Sequence, residues 1–281
     1  MPQTPEETLR AWAETAQYWE KYRDQMAFIF APITGAMFDE AQLRPGMTVL
    51  DVAGGAGEPS LTIAKAVAPG GSVVCTDAVA EMVGAAQREA ARRGLTNIAF
   101  NQCPADSLPF PGGSFDLVVS RLGAFFFPDP IRAFREMLRV TRAAGRIVLA
   151  VWKAKENNPY FSVVSDVVSR HFPTLPDEPD ALGPFRFSEP GLLATLLSRA
   201  GATRVREQVF DFRLAAALTL DEFWKLRSET SESLRSKLRV VSAGECERFE
   251  SEAKAAFEPY FSGNSMNMPG AVWIVSGLRQ G

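Results

Sequence analysis

One histidine and three cysteines in 281 residues leave little material for metal or thiol chemistry. Cys75, Cys103 and Cys246 are odd in number and far apart, which excludes a zinc knuckle and argues against a disulfide framework. No metal is expected, because these thiols and the lone His171 form no ligand cluster. Positive charge is not in excess either: the net charge is -3, so no global basic field draws nucleic acid. No apolar run approaches the ~18 residues that a membrane span needs. Met1 to Arg10 carries two glutamates and no apolar core, unlike a signal or transit peptide. The protein is therefore expected to be cytoplasmic, with neither nucleic acid nor membrane as a partner. Repeats and low-complexity tracts are missing, and no Ser-His-Asp constellation or phosphate loop points to hydrolase or kinase chemistry.

What is present is organised around Val49-Leu50-Asp51-Val52-Ala53-Gly54-Gly55-Ala56-Gly57-Glu58. A short apolar run that breaks into glycines and restarts as a helix is where an α/β sheet holds a nucleotide-like ligand. Thr48 to Val52 suits a buried parallel strand, and Pro59 suits the first turn of a helix continued by Leu61, Ile63 and Ala64. Asp51 precedes the loop and Glu58 follows it at the helix start, where a pyrophosphate needs bare N–H groups and no carboxylate. The charges favour a cationic ligand instead. Asp77, about 20 residues further on at the end of the next strand, stands where an acidic side chain accepts ribose hydroxyls.

From Thr48 to Trp152 the pattern alternates strand and helix: Ser72 to Asp77, Ile98 to Cys103, Phe115 to Ser120 and Arg146 to Val151 follow the first strand. Later strands are expected at Thr203 to Phe212 and Ala271 to Leu278. The whole reads as a Rossmann-like, doubly wound α/β fold with a mostly parallel seven-stranded sheet and an added helical substrate cap. Residues 1–46 form an N-terminal helical lid, 47–152 the cofactor core, and 153–281 the remaining strands with cap insertions. Thr4 with Glu7, Thr219 with Glu222 and Ser242 with Glu245 read as helix capping boxes. Ser188 reads as the cap of another helix, after a proline-rich loop from Pro173 to Pro184.

Asp51-Val52-Ala53-Gly54-Gly55-Ala56-Gly57 resembles the first motif of the class I S-adenosylmethionine-dependent methyltransferases, with Ala53 in place of the first glycine. Leu108 to Asp116, Phe125 to Pro130, Arg135 to Val140 and Gly145-Arg146 continue the likeness in order, over about Met47 to Trp152. The segment resembles the small-molecule methyltransferases of the ubiquinone and menaquinone biosynthesis type. The resemblance implies S-adenosylmethionine as cofactor, held by Asp51, Ala53, Gly54, Gly55 and Gly57, by Asp77 and Ala78, and by Ala105, Asp106 and Ser107 near the adenine. Met82 packs on adenine or belongs to the core. Ser120 and Arg121 end the fourth strand facing the cofactor, with Arg121 either a ligand contact or one partner of a surface ion pair.

The acceptor is expected to be a small, partly apolar molecule methylated on O, N or C. Tyr18, Trp19, Tyr22 and the other aromatics of the first helices, such as Trp12 and Phe30, with Phe125 to Phe127 and Trp152, are candidate substrate walls, with plain packing as the other reading. Transfer from a sulfonium is an in-line displacement that needs alignment more than a base. His171 is nonetheless the one candidate base, against a solvated helix-end histidine. Two rivals stand: an NAD(P)-dependent oxidoreductase, weakened because Ser60 occupies the last glycine of Gly-x-Gly-x-x-Gly, and a non-catalytic S-adenosylmethionine-binding protein.

Overall fold

Five parallel strands set the frame: β1 (Thr48–Val52), β2 (Ser72–Asp77), β3 (Ile98–Gln102), β4 (Phe115–Arg121) and β5 (Thr141–Trp152). The computed structural model describes residues 4–172 and 181–281. The sheet order is β3-β2-β1-β4-β5-β8-β6, where β6 is Ala202–Ala216 and β8 is Ser265–Arg279. Strand β8 runs antiparallel to both β5 and β6. The chain leaves β1 for β2 and β3 on one side, then returns to β4 on the other, which opens a crevice at the carboxyl ends of β1 and β4. Apolar β1 and β4 are buried along almost their whole length, as strands covered on both faces must be.

The seven-stranded sheet is as expected, with one addition. Strand β7 (Phe261–Ser262) forms a tight hairpin with the start of β8, pairing Phe261 with Met266 and Ser262 with Ser265. Gly263, at φ 56°, makes that turn possible, and β8 therefore begins ahead of Ala271.

Helices α1 (Pro5–Lys21), α2 (Arg23–Ile29) and α3 (Ala31–Ala41) precede the sheet. Helices α4 (Ser60–Ala66), α5 (Ala80–Arg92) and α6 (Pro130–Val140) are crossovers between the parallel strands. Beyond β5 come α7 (Pro159–His171), α8 (Leu192–Ala200), α9 (Leu220–Thr230), α10 (Glu232–Leu238) and α11 (Ala243–Phe257). All three capping boxes form, at Thr4, Thr219 and Ser242. Pro59 caps α4 rather than lying in its first turn. Ser188 does not cap α8, which starts only after Gly191 turns the chain at φ 77°. The carbonyl of Ser188 instead accepts the indole N–H of Trp273. Of the expected proline-rich loop, residues 173–180 lie outside the described residues.

Candidate functional site

A cavity of about 250 Å³ opens at the carboxyl ends of β1, β2 and β4. Its floor is Ala53, Gly54 and Gly55, with Asp77, Ala78, Val79 and Met82 to one side and Arg121, Leu122 and Gly123 to the other. Ala105, Asp106 and Pro104 close one end, and Thr8, Trp12, Trp19, Met26 and Phe30 of the N-terminal helices form the roof. Gly54 is pressed against the sheet: a Cβ there would lie 2.7 Å from Cys75 Sγ and 3.0 Å from Asp51 Oδ2. Gly55, at φ 55°, has open space where its side chain would be. A ligand can therefore approach this backbone closely. Ala53 adopts the left-handed conformation too, at φ 58°, although it carries a side chain.

Two acids below and beside the loop are tuned by burial. Asp51 is fully buried, accepts the Ser60 hydroxyl at 2.5 Å through Oδ2, and has no partner for Oδ1 among the described residues. Burial pushes its pKa up to about 7, against the Ser60 hydrogen bond and the Arg121 charge. Asp77 accepts the Gly55 N–H at 2.9 Å and the Val79 N–H at 3.0 Å, one on each oxygen. Burial raises its pKa while those backbone donors oppose the rise. Each oxygen retains acceptor capacity, so a pair of ribose hydroxyls fits this carboxylate.

Two arginines tie the roof to the loop. Arg23 donates to the Ala56 carbonyl at 2.8 Å and the Ala85 carbonyl at 3.1 Å, and pairs with Glu89 at 2.9 Å. Arg121 donates to Thr34 Oγ1 at 2.6 Å and the Glu58 carbonyl at 2.9 Å. Arg121 is thus a bridge between α3 and the loop rather than half of a surface ion pair. The Glu58 carboxylate is held by Arg93 at 3.0 Å and by Thr62 at 2.6 Å. It is paired, so it contributes less bare negative charge than its position in the sequence suggests.

Of the expected cofactor residues, Ala53, Gly54, Gly55, Asp77, Ala78, Met82, Ala105, Asp106 and Arg121 meet in this cavity. Asp51, Gly57, Ser107 and Ser120 do not line it. Asp51 and Ser120 are sealed beneath the loop, and Gly57, at φ 112°, packs towards Leu61 and Ala86. Ser107 is exposed on the surface beyond Asp106. Among the expected substrate walls Trp12, Trp19, Phe30, Phe126 and Phe127 line the cavity. Tyr18 lies under Arg235, the Tyr22 hydroxyl donates to Glu229 at 2.8 Å, Phe125 is buried behind Phe126, and Trp152 packs behind Phe30. His171 is not positioned as a base: it ends α7 and meets Glu252 at 3.1 Å, away from the cavity. Sequence reasoning missed Thr8, Arg23 and Met26. For Thr8 a signal existed, since spacings of four and seven residues place it with Trp12 and Trp19 on one helical face.

The methyltransferase-domain family matches residues 50–149, the segment that carries the floor of the cavity. The uncharacterized methyltransferase YcgJ of Bacillus subtilis is 37% identical over 138 residues, which is 49% of this chain and 53% of that protein. Its crystal structure aligns with a TM-score of 0.55 at 24% identity over 88% of this chain and 97% of that one, a likeness of fold. The ubiquinone/menaquinone biosynthesis C-methyltransferase UbiE of Hahella chejuensis is 38% identical over 139 residues, 49% of this chain and 55% of the relative. The chain thus spans about half the length of these two relatives. Nocamycin O-methyltransferase of Saccharothrix syringae is 32% identical over 199 residues, 66% of this chain and 70% of the relative. With strand order, glycine loop and strand-end acid in place, these matches settle the family: the chain belongs to the class I S-adenosylmethionine-dependent methyltransferases.

Proposed function

We propose that the protein transfers the methyl group of S-adenosylmethionine to a small, partly apolar acceptor. The observation that carries this reading is the cavity itself, which joins the floor at Ala53 to Gly55 and the Asp77 carboxylate to an aromatic roof of Trp12, Trp19 and Phe30. When bound, S-adenosylmethionine supplies an electrophilic methyl group. Asp77 holds the ribose, Ala78, Met82, Ala105 and Asp106 border the adenine, and Ala53, Gly54 and Gly55 admit the methionine portion. Asp51, Gly57 and Ser120 act from beneath by fixing the loop.

The roof excludes water and aligns the acceptor, which is what an in-line displacement requires. Residues 1–46 act as the lid, 47–152 as the cofactor core, and 153–281 as the remaining strands and cap. The lid covers the cofactor floor as well as the acceptor side, because Trp19 and Arg23 border the same cavity as Gly55. Removal of residues 1–23 is therefore expected to weaken cofactor binding as well as turnover. A net charge of -3 and a roofed, apolar cavity favour a small molecule over nucleic acid, in the cytoplasm. The nicotinamide alternative is disfavoured: Ser60, where that pattern has its last glycine, is buried and bonded to Asp51. Incubation with a metabolite pool and methyl-labelled S-adenosylmethionine, read by mass spectrometry, should show a labelled small-molecule product. Cofactor binding without any transferred label would favour the non-catalytic reading.

A further inference from the structure

Leu122 carries strain that its backbone role does not require. It follows β4 at φ 60°, in the left-handed region where glycine is the unstrained choice and a bulky side chain is an outlier. The Leu122 N–H donates to the Ala150 carbonyl at 2.9 Å, a bond that glycine would make equally well. Among the described residues Gln42, Ala53, Ala144 and Arg204 share the conformation. Gln42 ends α3, and Arg204 lies in the bulge between Thr203 and Arg206 of β6. Of these five residues only Ala53 and Leu122 border the cavity, and Leu122 alone has a branched apolar side chain. Strain held at a cavity wall is a cost that the side chain's function offsets.

The neighbours of Leu122 fix where that side chain stands. Gly123 is wedged against the floor: a Cβ there would lie 2.6 Å from Ala53 Cβ and 3.1 Å from Ser120 Oγ. Leu122 is therefore held next to Ala53, at the ends of the paired strands β1 and β4. It packs against the core and borders the cavity as well. The strand order β2-β1-β4 sorts the cavity walls. Asp77 at the end of β2, with Ala105 and Asp106 beyond β3, makes the adenosine side, Ala53 to Gly55 after β1 make the floor, and Leu122 and Gly123 after β4 make the wall opposite. A sulfonium has three carbon substituents. With the ribose on the β2 side and the methionine chain on the β1 loop, the β4 wall is left for the third.

We propose that Leu122 sets the size of the group that is transferred, its isobutyl chain forming the wall beside the methyl of the sulfonium and excluding a longer alkyl. This rests on the methyltransferase reading and adds a specificity-determining residue to it. A leucine kept only for packing would affect stability and leave alkyl discrimination unchanged. One extra methylene against an apolar wall is worth about tenfold or more in discrimination.

The test is isothermal titration of the full chain with S-adenosylhomocysteine, S-adenosylmethionine and S-adenosylethionine, which carry no alkyl group, a methyl and an ethyl on the sulfur. Wild type should bind the ethyl compound at least tenfold more weakly than the methyl compound. Leu122→Ala, which keeps the backbone and removes most of the wall, should bring that ratio below threefold. If Leu122→Ala does not fold, Leu122→Gly takes its place, because glycine is free of the left-handed penalty. The proposal is overturned if wild type discriminates less than tenfold, or if the smaller side chain leaves the ratio at threefold or above. Failure of S-adenosylhomocysteine to bind wild type would instead strike the methyltransferase reading, so the two failures are distinct.

Discussion

Replacing Asp51 by asparagine probes how the buried floor of the cofactor loop is built. The carboxyl group has an ordinary pKa of 3.8, and burial raises it to about 7 in the folded chain. Between those values the folded state holds a proton that the unfolded state has released, so stability falls as pH rises through this window. At about 1.4 kcal/mol per pH unit, the penalty reaches about 4 kcal/mol by pH 7 and above, and it is absent below pH 4. Asparagine keeps the shape and does not ionise. Its amide nitrogen, placed where Oδ1 has no partner, costs about 1–3 kcal/mol as an unpaired buried donor. Asp51→Asn should therefore be more stable than wild type by about 1–3 kcal/mol at pH 8, and less stable by a similar amount at pH 4. Urea denaturation of both proteins at pH 4, 6 and 8 reads the difference directly, since every other titrating group is common to the two. A difference that stays constant with pH would refute the reasoning.

Three further substitutions test the loop and its roof. Ala53→Gly relieves a left-handed alanine, worth roughly 1–2 kcal/mol, against about 0.5–1 kcal/mol for the freer glycine chain, so a small net rise in melting temperature is expected; a fall would contradict this. Asp77→Ala removes the acceptor for Gly55 and Val79 and should weaken S-adenosylhomocysteine by about 1.5–3 kcal/mol for each charge-assisted bond lost. Unchanged affinity in a folded variant, by calorimetry, would remove Asp77 from the site. Arg23→Met strips donors from the Ala56 and Ala85 carbonyls, while Glu89 keeps Arg92 and Arg93, so the chain should lose about 1–3 kcal/mol for the unpaired buried carbonyls. Hydrogen exchange should speed up across residues 5–29, and unaltered protection there would show that Arg23 does not hold the roof.

Local chemistry was legible in the sequence because it is carried by neighbours in the chain. Three capping boxes, the break of β1 into glycines and the acid at the end of β2 each need only a few residues, and each stands where expected. The roof was harder to read. Helix α1 is aromatic on two faces: Trp12 and Trp19 turn to the cavity, whereas Tyr18 and Tyr22 turn to Arg235 and Glu229 near α10 and α9. Spacing separates the two faces but does not say which one meets the cofactor core. Arg23 reads as a surface residue at a helix junction, because its partners Ala56, Ala85 and Glu89 lie on the glycine loop and α5, far along the chain. Trp152 and Phe125 are apolar enough for either core or pocket, and contacts with Phe30 and Phe126 decide for the core.

The central claim is that this crevice takes S-adenosylmethionine rather than a dinucleotide. Isothermal titration of the full chain with S-adenosylhomocysteine and, separately, with NAD tests it most directly. One-to-one binding of S-adenosylhomocysteine with no heat from NAD is the expected result, and it should weaken in Asp77→Ala. Tight NAD binding with no response to S-adenosylhomocysteine would contradict the account.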